Sequence, residues 1–156
     1  VDWGTLDVLI VDMPPGTGDA QLALAQGARL AGAVIVSTPQ DLALIDARRG
    51  IAMFRKVDVP ILGLIENMAY FRCPDCGGRH AVFGQGGAEA EARRLGVPVL
   101  GAVPLDMDLR LASDSGRPVT ARDPEGPIGR IYQDLARGLM AQLARVEADP
   151  SRRSEA

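Results

Sequence analysis

LDVLIVDMPPGTGD, residues 6–19, sets an aliphatic run, Val8 to Val11, directly before a carboxylate, Asp12, and then a Pro-Pro-Gly-Thr-Gly turn. Four consecutive aliphatic residues read as a buried strand, and parallel α/β sheets bind ligands just past the carboxyl ends of such strands. Working outward, further runs of this kind occur at Ala33 to Val36, Ile61 to Ile65 and Val99 to Val103, the first three runs at nearly equal intervals. That alternation predicts βαβ units and so an α/β fold, a parallel sheet with helices on both faces.

Helices are expected in the intervals. Asp19 to Leu30 would turn Leu22, Ala25 and Ala28 inward, and Leu42 to Lys56 would present Leu42, Ile45, Arg49, Ala52 and Phe54 on a mostly apolar pattern, with Asp41 as a cap. Short helices follow at Ala88 to Leu95 and Leu105 to Ala112. From Ile128 a long closing helix carries Ile131, Leu135, Leu139, Leu143 and Val146 at helical spacing. Tyr70 to Gly87, with Gly77, Gly78, Gly84, Gly86 and Gly87, reads as an irregular functional loop. The paired arginines Arg48-Arg49 and Arg93-Arg94 read as solvated helix faces.

Composition narrows the function. A chain of 156 residues suits one domain, expected over residues 1–148 with 149–156 a frayed tail. A formal charge of −3 and 4% aromatic residues supply neither a basic field nor a stacking platform, so nucleic acid is not expected as a partner. No apolar run approaches the ~18 residues of a membrane span, and no basic flank leads into an apolar signal region, so the expectation is no membrane and a cytoplasmic protein. A single histidine excludes a His-rich metalloenzyme, and Ser113-Asp114-Ser115 has no neighbouring histidine to complete a hydrolase triad. The chain opens on Val1, already close to a strand run, as a fragment would.

Three groups of residues carry chemistry. Asp12, at a strand end, is placed as carboxylates are that hold Mg²⁺ beside phosphates, or as a turn cap; Pro14 and Pro15 stiffen its exit, while Gly16 and Gly18 let backbone amides approach an anion. Asp19 either caps the next helix or acts on water near a terminal phosphate. Asn67, just past the third run beside Glu66, offers a donor and an acceptor that suit adenine better than guanine, or closes a turn through its own side chain. Cys73 and Cys76 are the only cysteines and form one CxxC within RCPDCGGRH, residues 72–80. Gly77-Gly78 after it disfavours the helix a redox pair needs, so the spacing favours a metal. Two thiolates are half of a four-ligand site, zinc and iron–sulfur are hardly separable on spacing, and His80 is a candidate third ligand or incidental. A two-fold dimer in which each copy donates both cysteines would complete the set.

DMPPGTGD, VSTPQDLALIDARRGIAMF, GLIENMAYFRCPDCG, FGQGGAEAEA, GVPVLGAVPLD and DLRLASDSGRPV, taken in order over about residues 5–145, resemble the Mrp/ApbC family of iron–sulfur cluster carriers, P-loop ATPases related to MinD. The resemblance implies a MinD-like P-loop NTPase fold. It implies ATP and Mg²⁺ handled by Asp12, Gly16 and Asp19, adenine contact at Asn67, a base wall near Pro104 and Leu105, and a 4Fe-4S cluster bridged by Cys73 and Cys76 of a homodimer for transfer to apo iron–sulfur proteins. The family's phosphate loop, GxxxxGK(S/T), does not occur in these 156 residues. The chain thus resembles a C-terminal part, incomplete at its N-terminal side, and as an isolated polypeptide is expected to bind ATP weakly and to lack hydrolysis. Rivals are a MinD/ParA-like positioning ATPase, which calls for a basic amphipathic terminal helix or a DNA-binding patch, and a structural zinc-dimer module.

Overall fold

A computed structural model describes residues 1–14, 16 and 18–149. In chain order its elements are α1 (Asp19–Gly27), β1 (Ala33–Ser37), α2 (Asp41–Lys56), β2 (Ile61–Glu66), β3 (Phe71–Arg72), β4 (Arg79–His80), α3 (Gly87–Leu95), β5 (Val99–Ala102), α4 (Met107–Asp114), α5 (Val119–Arg122) and α6 (Pro127–Ala148). β1, β2 and β5 form a parallel sheet in the order β1-β2-β5, and β3 pairs with β4 as a separate antiparallel hairpin.

The pleat of β2 distributes the helices. Leu64, 0% exposed, joins Ile35 of β1, Leu44, Ile51 and Phe54 of α2, and Ala88 and Ala92 of α3 in one core. Gly63 points to the opposite face, where a Cβ would lie 2.6 Å from Leu100 Cγ, and Leu100 in turn reaches toward Gly138 of α6. Helices therefore cover both faces, as the alternation of elements predicts. Ile51 and Leu64 are each worth about 1.5–3 kcal/mol by their removal from water. A second small cluster, Ala112, Val119 and Ile128, packs α4, α5 and α6 together.

Two expectations need correction. Val8 to Val11 is not a strand: these residues are unpaired and exposed, Ile10 to 78%. A strand is a pairing rather than a composition. β1 is an edge, and no described segment hydrogen-bonds to its outer side. On α2 the inward stripe is Leu44, Ala47, Ile51 and Phe54, while Leu42 is 79% exposed and Ile45 also faces out. Two apolar stripes interleave along that helix, and packing against β1, β2 and α3 selects one of them. The arginine pairs do lie on exposed helix faces, as expected. From those faces Arg48 of α2 and Arg94 of α3 reach the buried carboxylate of Glu91, Arg48 Nε at 2.7 Å and Arg94 Nη2 at 2.5 Å. Of the expected tail, residues 150–156 lie outside the described residues, as do Pro15 and Thr17.

The two guanidiniums hold the Glu91 carboxyl at about 2, below its ordinary value of 4.5, Arg94 contributing most and then Arg48. A depressed folded-state pKa gives stability that is complete above about 4.5 and is lost as pH falls toward 2. Glu91→Gln is expected to lower stability by about 1–2 kcal/mol at neutral pH, since the pair is buried on one side only. In urea unfolding the gap between variant and wild type should narrow from pH 5 to pH 2.5; a constant gap would show that Glu91 acts by packing alone.

Candidate functional site

The cysteines sit on the hairpin. Phe71 pairs with His80 and Arg72 with Arg79, enclosing Cys73 to Gly78. The Cys73 amide donates to the Gly78 carbonyl at 2.9 Å, and the Gly77 amide donates to the Cys73 carbonyl at 2.9 Å. Gly77 holds φ +71°, the left-handed conformation that lets the chain fold back under the sulfurs. The Arg79 guanidinium stacks 4.6 Å from the Tyr70 ring centre and stiffens the hairpin base. The segment expected to be wholly irregular thus contains a compact knuckle, too short to leave a strand signal in the sequence.

Within the knuckle the backbone amides of Cys76 and Asp75 and the Cys76 side chain favour the thiolate of Cys73. The Cys76 amide contributes most, followed by that of Asp75 and the Cys76 side chain, and together they lower the Cys73 pKa. Cys73 is half-buried and Cys76 exposed. The imidazole of His80 lies on the same side: a Cβ built at Gly78 would stand 3.2 Å from Cys76 Sγ and 3.5 Å from His80 Nε2. Even so, no group of three His, Cys, Asp or Glu side chains among the described residues is arranged to hold a metal ion. The donor set fits two corners of a thiolate-bound centre.

Asn67 follows β2 at the carboxyl edge of the sheet. Its amide donates to the Ser37 carbonyl at 2.7 Å, and its Oδ1 accepts from the Met68 amide at 3.0 Å, Met68 holding φ +54°. The side chain does close its own turn, and its NH₂ group makes no hydrogen bond among the described residues. Pro104 is fully buried. Leu105 is half-buried, with its amide bonded to the Tyr70 carbonyl at 2.8 Å and its carbonyl accepting from the Arg72 amide at 3.4 Å. The expected base wall is therefore knitted into the cysteine hairpin.

Asp12, Gly16 and Asp19 remain on their own loop, and no hydrogen bond among the described residues joins them to Asn67 or Leu105. Asp12 is exposed, Gly16 holds φ +93°, and Asp19 is the first residue of α1 after Gly18. The loop is fastened by Gln21, a buried side chain whose Nε2 donates to the Pro14 carbonyl at 2.6 Å. Sequence reasoning missed Gln21, because a polar residue on an Ala/Leu-rich helix looks solvated. It also missed Glu66, which is buried and accepts from the Ala88 amide at 3.1 Å, capping α3.

A family model described as ParA, NUBPL iron-transfer P-loop NTPase, matches residues 1–140. The chain belongs to this family of NUBPL-type iron-transfer P-loop NTPases. Relatives include an iron–sulfur cluster transfer protein NUBPL of Dictyostelium discoideum, 50% identical over 97% of this chain and 47% of that protein. An iron–sulfur cluster carrier protein of Pseudomonas fragi is 55% identical over 86% of this chain and 47% of its own length. The chain spans about half the length of these curated relatives. Among solved structures, a nucleotide-binding protein from Archaeoglobus fulgidus in complex with ADP matches with a TM-score of 0.69 and 45% identity, over 80% of this chain and 50% of that one. The NUBPL-type family thus accounts for a P-loop NTPase-like fold built around parallel strands.

The knuckle makes a reactivity prediction. In a Cys76→Ser chain, iodoacetamide should modify Cys73 with a pH midpoint below that of the same chain unfolded in urea, because the amide donors remain. A midpoint at or above the unfolded one would show that those amides do not act on the sulfur.

Proposed function

We propose that this chain carries a 4Fe-4S cluster as cargo between Cys73 and Cys76 of two copies and passes it to apo iron–sulfur proteins, with ATP binding and hydrolysis in the complete protein. The observation that carries this reading is the knuckle itself. It places two thiols on an accessible turn whose backbone amides favour the thiolate of Cys73, and no group of three His, Cys, Asp or Glu side chains among the described residues is arranged to hold a metal ion alone. A two-fold axis beside the hairpin would supply the other two thiolates without any new residue type. The carrier and transfer names of relatives at 50–55% identity support the same cargo.

In this reading Asp12 holds Mg²⁺ through water, the Gly16 backbone meets the terminal phosphate and Asp19 acts on the attacking water. Asn67 presents its free NH₂ to adenine, with Pro104 and Leu105 as the base wall. The ADP named for the archaeal structure supports the nucleotide. Thiolates bind the cluster through iron, and the exposed position of Cys76 leaves an approach for an incoming acceptor thiol.

Anaerobic reconstitution with iron and sulfide tests the cargo. Wild type should gain broad absorption near ~400 nm and about four irons per dimer, and Cys73→Ser or Cys76→Ser should lose both. A colourless protein with stoichiometric zinc would establish the structural zinc dimer instead, and monomers retaining the full cluster would overturn the shared site.

A further inference from the structure

The cysteine hairpin is anchored at one side by an ion pair that none of the roles above uses. Arg72, adjacent to Cys73, reaches Asp106 Oδ2 with Nε at 3.2 Å and Nη2 at 2.8 Å. Asp106 is buried, and its other oxygen accepts from the amides of Asp108 at 2.9 Å and Leu109 at 3.2 Å, capping α4. Burial pushes its carboxyl up, but the Arg72 guanidinium and those two amides outweigh it and bring the pKa below the usual value. A carboxylate whose two oxygens serve a helix cap and a guanidinium has little freedom to move alone.

The neighbours on each side give this pair its significance. Asp106 follows Leu105 directly, and Leu105 is bonded through its backbone to Tyr70 and Arg72 on the hairpin. A displacement of Leu105 is therefore delivered to the hairpin twice, through the Leu105 backbone and through the Asp106 carboxylate.

We infer that Arg72, gripping Asp106, is a positioning residue that couples nucleotide occupancy beside Leu105 to the placement of Cys73 and Cys76. This rests on the proposed reading that Leu105 lines the base site and the cysteines hold cargo. Coupling between two binding sites is reciprocal: if nucleotide changes the hold on iron by some factor, iron loading changes nucleotide affinity by the same factor. A point-charge lysine cannot reproduce the two-nitrogen grip, so Arg72→Lys should restore only part of the effect. Asp106→Asn keeps an acceptor for the α4 amides while discharging the partner of Arg72, and so separates coupling from helix capping.

The test uses the gene product expressed from its complete coding sequence, with and without adenylyl imidodiphosphate. One readout is the rate of iron loss to a ferrous chelator after reconstitution; the other is the alkylation rate of Cys73 and Cys76 in iron-free protein. In wild type the nucleotide should change each rate about fivefold or more. In Arg72→Ala and Asp106→Asn the ratio should fall toward one, with nucleotide still bound and, where iron loads, its stoichiometry unchanged; Arg72→Lys should be intermediate. If Arg72→Ala does not fold, Asp106→Asn gives the same comparison. A wild-type ratio of one, absence of nucleotide binding, or a full ratio in both variants would overturn the inference. Failure to load iron would sink the carrier reading alone, because the alkylation ratio still decides the role of Arg72.

Discussion

Backbone pairing continues past the carboxyl ends of β2 and β5, and the arrangement of the site depends on it. The Val103 amide donates to the Glu66 carbonyl at 2.8 Å, the Ala69 amide to Val103 at 3.0 Å and the Leu105 amide to Tyr70 at 2.8 Å. Two exits from a parallel sheet ordinarily diverge into separate loops. Here they stay laced for several residues, so the Asn67 turn, the buried Pro104 and the start of the cysteine hairpin share one rigid frame. The knuckle inherits its orientation from the sheet, and Arg72 with Asp106 closes the frame at its far end.

Much of this architecture was legible in the sequence. Parallel strands announce themselves as aliphatic runs, and Ala33–Ser37, Ile61–Glu66 and Val99–Ala102 fall within a residue of where those runs place them. Val8 to Val11 carries the same signal and forms no strand, because composition reports a wish to be buried and not the presence of a pairing partner. The inward stripe of α2 was ambiguous for a related reason: Leu42 and Ile45 are as apolar as Leu44 and Ile51, and only the docking of the helix on the sheet and α3 distinguishes them.

The site divides along the same line. CPDCGG could be read as a metal-binding turn because its chemistry is local. The buried polar residues that organise the surroundings, Gln21, Glu66, Glu91 and Asp106, could not, since each meets a partner that chain topology brings in. Arg48 and Glu91 are 43 residues apart, and Arg72 and Asp106 are 34 apart. A charged side chain in a single sequence looks solvated until the fold supplies its counterion.

The outer side of β1 adds a colloidal consequence. Val36 is 61% exposed there, and the strand's unpaired amides and carbonyls run alongside it with no described segment to cover them. Such a border is a template on which any passing extended peptide can register, including another molecule of the same kind. Handled at high concentration, the polypeptide is therefore prone to clumping by edge-to-edge stacking.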